Sequence, residues 1–293
     1  MDLRVIAVPG HGAEDVVVAP GGVVYTGTED GVIHRIDPDG RPAAVADTGG
    51  RPLGIELLPD GRLLVCDARR GLLAVEPSSG AIEELAGGMR FCNNAAVAAD
   101  GTIYFSDSST VHPIDEWKAE MVEVTRTGRL LRRTPDGAVT VLRDGLAFAN
   151  GVALAGDESF VAVAETAVRA VARHWLTGRD DYLVENLPGY PDNIARGSDG
   201  LIWVTIASPT DPVVERIQRG PMWIRRQITK IPEALQPAPK RTVRVQAYDD
   251  AGRLVHDRTG DSLHFHMVTG VREHDGRIWM GSLHESAIAV LTP

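Results

Sequence analysis

Short apolar runs recur along the chain, each closed by a tight turn and followed by a second run rich in Val, Ile, Tyr or Trp. The second runs read VVYTGT, RLLVCDA, TIYFSDS, SFVAVAE, LIWVTIA and RIWMGSL. A third run follows, as in VIHRIDP, LLAVEP, RLLRRTP and AIAVLTP, and usually ends in another turn such as DPDG, PSSG or TPDG. Apolar stretches of this length, bounded by Gly, Pro and Asp, predict β-hairpins. Self-similarity at a period of about 40 residues predicts the blades of a β-propeller.

Six segments align on their closing turns: AEDVVVAPGG, LGIELLPDG, NNAAVAADG, NGVALAGDE, DNIARGSDG and VTGVREHDG, with turns at Gly22, Gly61, Gly101, Glu158, Gly200 and Gly276. Eight residues before each turn stand Glu14, Leu53, Asn93, Asn150, Asp192 and Val268, spaced 39, 40, 57, 42 and 76 apart. The two wide spacings predict insertions in blade 3, over roughly 110–126, and in blade 5, over roughly 208–242. PIDEWKAEMVEV has helical spacing behind Asp115 as a candidate cap, and VVERIQRG and WIRRQITKI predict short helices among prolines. LRVIAV has no first strand of its own, so it is expected to supply the outer strand of the last blade and close the ring. The expectation is an all-β, six-bladed propeller with helical insertions in blades 3 and 5, forming one domain over residues 1–293.

Equivalent positions of a closed ring converge on its axis. Four of the six aligned residues, Glu14, Asn93, Asn150 and Asp192, then bring two carboxylates and two amide oxygens to one level. Hard cations take such oxygens, so the set predicts a site for Ca²⁺ or another divalent cation; zinc would want His or Cys. A turn-capping role explains any one of these residues alone but not four at one register. One residue further on stand Asp15, Gly54, Asn94, Gly151, Asn193 and Thr269. Asn94 and Asn193 are candidates to orient or join the site, and Glu56 is expected in an ion pair. His11, His264 and His266 precede inner strands of blades 1 and 6, where a solvated loop histidine is the plain expectation. His266 is retained as an additional candidate, and His112 lies beside the blade 3 insertion.

Composition narrows the picture. The 293 residues are 43% hydrophobic and 24% charged, enough apolar content for a large core. A net charge of −10 argues against a nucleic-acid partner and is compatible with a bound cation; the partner expected from the axial site is a small-molecule substrate. Cys66 and Cys92 lie in apolar runs and are expected reduced and buried. No basic-plus-apolar leader opens the sequence and no run of about 18 apolar residues occurs, so neither a signal peptide nor a membrane span is expected, and the expected location is cytoplasmic. The segment 213–230 mixes Met222, Trp223 and Ile224 with five basic residues, and could serve as a lid, a peripheral membrane contact or a solvated helix.

The runs CNNAAVAADGTIYFSDSS, FANGVAL, LPGYPDNIARGSDG and VREHDG resemble the strictosidine synthase-like family, in particular its adipocyte plasma-membrane-associated protein-like group. That family is related to the gluconolactonases, senescence marker protein 30, paraoxonases and diisopropylfluorophosphatase. The resemblance implies a six-bladed propeller. It also implies that hydrolytic relatives hold a catalytic Ca²⁺ through a Glu, two Asn and an Asp, which fall on Glu14, Asn93, Asn150 and Asp192. A paraoxonase-type histidine is not found at Pro52-Leu53-Gly54.

The expected activity is calcium-dependent hydrolysis of a lactone or related ester, with Asp192 both ligand and activator of water or direct nucleophile. Two rivals are a metal-independent, strictosidine synthase-like enzyme forming a carbon–nitrogen bond and a non-catalytic propeller that binds a ligand.

Overall fold

A computed structural model of the chain describes residues 2–231, 239–261 and 263–292. The described residues form six four-stranded antiparallel sheets. The inner strands are Val16–Ala19, Pro52–Leu57, Cys92–Val97, Ala149–Leu154, Gly189–Arg196 and Val268–His274. Inner strands of successive blades touch each other around a ring that returns from blade 6 to blade 1. The architecture is the expected propeller.

Middle strands buried on both faces explain the unbroken apolar runs. Leu63–Asp67 and Gly71–Val75 are buried at every position, because each blade is covered by a neighbour on either side. The apolar core is therefore a set of wedges between blades. Val17, Tyr25 and Ile33 of blade 1 pack with Ile55, Leu63 and Val65 of blade 2, and the pattern repeats around the ring. Ile6, Val8 and Ile288 complete the wedge between blades 6 and 1. Burying one such Val, Leu or Ile side chain contributes roughly 1.5–3 kcal/mol. Cys66 and Cys92 are free and buried in the wedge between blades 2 and 3, and burial pushes the Cys92 thiol well above its usual pKa.

The closing strand is where it was expected. Asp2–Ala7 pairs antiparallel with Ala287–Thr292, from Asp2 opposite Thr292 to Ala7 opposite Ala287. The ring is sealed by backbone hydrogen bonds between strands from opposite ends of the sequence, and blade 6 gains its fourth strand.

Both insertions are helical. In blade 3 a 3₁₀ turn over Ile114–Glu116 leads into α1 (Trp117–Glu123). Asp115 does not cap it: Glu116 holds the N-cap position without a side-chain bond, and Asp115 pairs with Arg69 at 2.9 Å. In blade 5, α2 (Pro212–Gln218) is capped by Asp211, whose carboxylate accepts from the Val213 and Val214 amides, and α3 (Met222–Ile228) follows Pro221. Residues 232–238 of the blade 5 insertion lie outside the described residues.

Gly151 marks the tightest approach at the hub: a Cβ there would stand 2.1 Å from the Ile194 amide nitrogen. Gly151→Ala is expected to destabilise the protein by about 3 kcal/mol, read from urea denaturation midpoints. An unchanged midpoint would show that blades 4 and 5 separate freely there.

Candidate metal centre

The inner strands of blades 2 to 6 all break their ladder at an equivalent place, and blade 5 shifts once more between Tyr190 and Pro191. Pairing skips between Pro52 and Ile55, Cys92 and Ala95, Ala149 and Val152, Pro191 and Ile194, and Val268 and Val271. Each skip leaves two residues out of register, and a bulge of this kind re-aims side chains. The pairs are Leu53-Gly54, Asn93-Asn94, Asn150-Gly151, Asp192-Asn193 and Thr269-Gly270. In blade 1, Glu14-Asp15 occupy the same place just before pairing begins at Val16. Blade 6 corrects the sequence alignment by one residue. Thr269, and not Val268, stands level with the ligand candidates, and its hydroxyl donates to the Glu14 carbonyl at 2.9 Å.

Four first members, Glu14, Asn93, Asn150 and Asp192, line the floor of a cavity of about 160 Å³, while Leu53 and Thr269 do not line it. All four are buried. The Asn93 amide nitrogen donates to Ser108 Oγ at 2.9 Å, and that of Asn150 donates to Thr166 Oγ1 at 3.2 Å. With the nitrogens held, the amide oxygens are left over. Glu14 Oε2, Asn93 Oδ1, Asn150 Oδ1 and Asp192 Oδ1 are all buried without a hydrogen-bond partner. Orphaned buried oxygens are costly and rare, and four around one cavity floor fit a hard cation in number and chemistry. Among the described residues no cluster of three or more His, Cys, Asp or Glu is arranged for a metal, in keeping with a donor set that is half amide.

Second members form a belt that does not line the cavity. Around the ring they alternate Asp15, Gly54, Asn94, Gly151, Asn193, Gly270. The glycines are required by space. A Cβ on Gly54 would meet Asn94 Cα at 2.7 Å, one on Gly151 would meet Asn193 Cα at 2.5 Å, and one on Gly270 would meet Asp15 Cα at 2.5 Å. Asp15 Oδ2 accepts from the Ile55 amide and from Asn94 Nδ2, and Asn94 Oδ1 accepts from the Val152 amide. The belt thus serves the backbone groups that the bulges release. Asn193 is buried with neither amide atom bonded. Nearby, Glu56 forms the expected ion pair, with Arg272 at 2.7 Å.

Several site residues were invisible to pattern. Arg51 is 3% exposed, places Nη2 3.7 Å from Glu14 Oε2 and donates through Nη1 to the Gly12 carbonyl. Asp67, Asp107 and Glu165 end the second strands of blades 2, 3 and 4, and accept the amides of Arg51, Phe91 and Ala147. They fasten the loops that deliver the inner strands. Their signal was present in VCDA, FSD and VAE at the same repeat position, though without an assigned role.

The histidines lie elsewhere. His11 is exposed and pairs with Glu29, His264 is exposed, and His112 fastens α1 through Glu116 and Glu123. His266 is half-buried between Glu285 and Arg241 and is not among the residues lining the cavity. The cavity walls are apolar, including Phe91, Phe148, Tyr190 and Met267 from the blades. Met121 of α1 and Ile217 of α2 close over them, so the inner side of both insertions is a lid. Gln218 ties the lid together by donating to the Met121 and Ala167 carbonyls.

Comparison with known proteins gives the chain its family. Residues 93–179 match the strictosidine synthase family and residues 1–36 the strictosidine synthase-like N-terminal family. The adipocyte plasma membrane-associated protein of Gallus gallus is 34% identical, over 94% of this chain and 74% of its own. Strictosidine synthase-like protein 10 of Arabidopsis thaliana is 34% identical, over 80% of this chain and 67% of its own. Among solved structures, a gluconolactonase from Xanthomonas campestris superposes with a TM-score of 0.72 at 16% identity, covering 99% of this chain and 89% of that one. A calcium-binding regucalcin from Agrobacterium tumefaciens gives 0.69 at 14% identity, covering 97% and 90%. These two likenesses establish the fold. The relatives also overturn the expected cytoplasmic location, since those from Gallus gallus, Rattus norvegicus and Homo sapiens carry plasma-membrane association in their names. Among the described residues no helix is long and apolar enough to cross a membrane.

Burial raises the Glu14 carboxyl from 4.5 to about 7, with Arg51 opposing the rise and Asp15 adding to it. Burial also raises Asp15 from 3.8 to about 7, and burial together with the Glu14 charge carries Asp192 well above its usual value. A carboxyl that holds its proton more tightly when folded contributes stability at low pH and loses it as pH rises through the folded pKa. For protein kept free of divalent cations, Glu14 is expected to lower the unfolding midpoint as pH rises from 4.5 through about 7. Glu14→Gln should flatten that dependence in thermal unfolding; an equally steep dependence in the variant would show that Glu14 is not its source.

Proposed function

Because this chain belongs to the strictosidine synthase-like family, and keeps an oxygen-donor set at its axis, we propose that it is a calcium-dependent hydrolase of lactones or related esters. The observation that carries this reading is the four orphaned oxygens on the floor of an apolar-walled cavity. Glu14 and Asp192 would neutralise the charge of a divalent cation, while Asn93 and Asn150 would add neutral oxygens held in place by Ser108 and Thr166. Calcium bound there would supply a Lewis acid that polarises the ester carbonyl and stabilises the charge developing on its oxygen.

The chain's own groups account for the rest. The apolar walls and the lid exclude bulk water and favour an apolar acyl or aryl portion of the substrate. Asp192 is the most exposed of the four, at 9% against 2–4%, and it lines the cavity. Its carboxylate would take a proton from water or attack the carbonyl directly. Its backbone is fixed by the bond from its amide to Thr205 Oγ1 at 3.1 Å. With Leu53 buried under the lid in the blade 2 position, no histidine of the paraoxonase type takes part there.

Calorimetric titration of Ca²⁺ into chelator-stripped protein is expected to show one site, lost in Asp192→Ala. Asp192→Asn should retain calcium yet lose turnover on a panel of lactones and aryl esters, by on the order of 10³-fold. Absence of calcium binding would put the metal-independent, bond-forming activity in first place. Calcium binding without turnover on the panel would favour a ligand-binding propeller.

A further inference from the structure

The outer side of the lid carries a feature that the axial chemistry does not use. Helices α2 and α3 turn Val214, Ile217 and Ile228 towards the cavity. On their solvent side the apolar residues Val213 and Trp223 are 56% and 69% exposed, with Met222 and Ile231 exposed beside them. Arg216, Arg219, Arg226 and Lys230 are exposed along the same two helices. The Arg219 and Arg226 side chains are 81% and 64% exposed, and their carboxylate neighbours Glu215 and Glu123 lie at 3.8 and 3.6 Å, beyond hydrogen-bond distance. An exposed Trp among cations on a short amphipathic pair is the composition that settles at a lipid–water boundary.

Charge decides the occupant. The protein as a whole carries −10, so an anionic surface repels it, and this basic face is the orientation in which it can approach one. The same helices border a second hollow of about 340 Å³, walled by Arg126, Arg169, Arg219 and Arg225 with Glu215 as its acidic lining residue. Arg169 in this wall is paired with Glu215 at 3.1 Å, and Arg225 donates to the Gly220 and Glu123 carbonyls. The hollow thus adds to the basic character of the face, while the exposed Arg216, Arg219, Arg226 and Lys230 are the groups suited to anionic headgroups. We infer that the outer face of the blade 5 insertion docks on an anionic phospholipid bilayer, with Trp223 and Met222 entering the interface and the arginines meeting headgroups. The roof of the cavity then lies against the lipid, where apolar substrates concentrate. The docking itself is independent of the hydrolase reading, because it requires neither the cation nor turnover.

Flotation of the full chain with phosphatidylcholine vesicles, with and without phosphatidylserine, tests it. Binding is expected only with phosphatidylserine and should weaken with added salt. The combined Arg216→Gln, Arg219→Gln and Lys230→Gln variant should lower the partition coefficient on the order of a hundred-fold. Trp223→Ala should lower it roughly ten-fold and leave the salt dependence in place. All four positions are exposed, and circular dichroism on each variant verifies the fold. No flotation with phosphatidylserine, equal flotation with both vesicles, or flotation unchanged in the folded variants overturns the inference.

Discussion

Six strands meeting at one axis leave room for a side chain at only every other blade, and the rest of the hub follows from that crowding. Asp15, Asn94 and Asn193 occupy the space that Gly54, Gly151 and Gly270 vacate. The alternation has an electrostatic consequence as well as a steric one. The bulges free buried backbone groups, and Asp15 and Asn94 answer with short polar side chains that span from one blade to the next, to the Ile55 and Val152 amides. The bulges in turn aim the residues one step earlier into the cavity. A cavity floor of separate oxygens is therefore a by-product of how the hub packs: the belt sets the register, and the register presents the oxygens.

Charge at the hub is balanced unevenly. Glu14, Asp15 and Asp192 are buried within one small volume, and the cations near them are Arg51 and Arg272. Without a further positive charge, burial favours the protonated form of all three carboxyls, and Arg51 and Arg272 only partly oppose it. The cost is tolerated at a place where the surrounding wedges are rich in stabilising apolar contact. Sites of function are commonly where such a local conflict persists.

Much of this was legible in the residue pattern, and the failures have physical causes. The ring, the two insertions and the closing strand could be read because middle strands buried on both faces leave long apolar runs. The outer strands Pro42–Asp47, Ile82–Ala86 and Asp180–Val184 are mostly exposed or half-buried, so they carry little signal. The blade 6 alignment slipped because its inner hairpin closes from His274 directly to Arg277, whereas blade 3 spends more residues between Val97 and Ile103. Arg51 was missed because TGGRPLG reads as a surface loop and its partner Glu14 lies in another blade. Asp115 looked like a cap by position, but a 3₁₀ turn intervened and gave the cap position to Glu116. The four candidate donors stood out in the alignment because Leu53 and, one residue out of register, Val268 filled the other two places.

The seam in blade 6 ties one candidate donor to the closure of the ring. Glu14 belongs to the first blade, yet its carbonyl is held by Thr269, and the strand before it is paired only when Ala287–Thr292 is present. Asn93, Asn150 and Asp192 sit in blades whose four strands follow one another in the sequence, whereas Glu14 leans on the one blade that joins strands from far apart in it. The axial cavity is therefore walled on that side only by a ring that is shut.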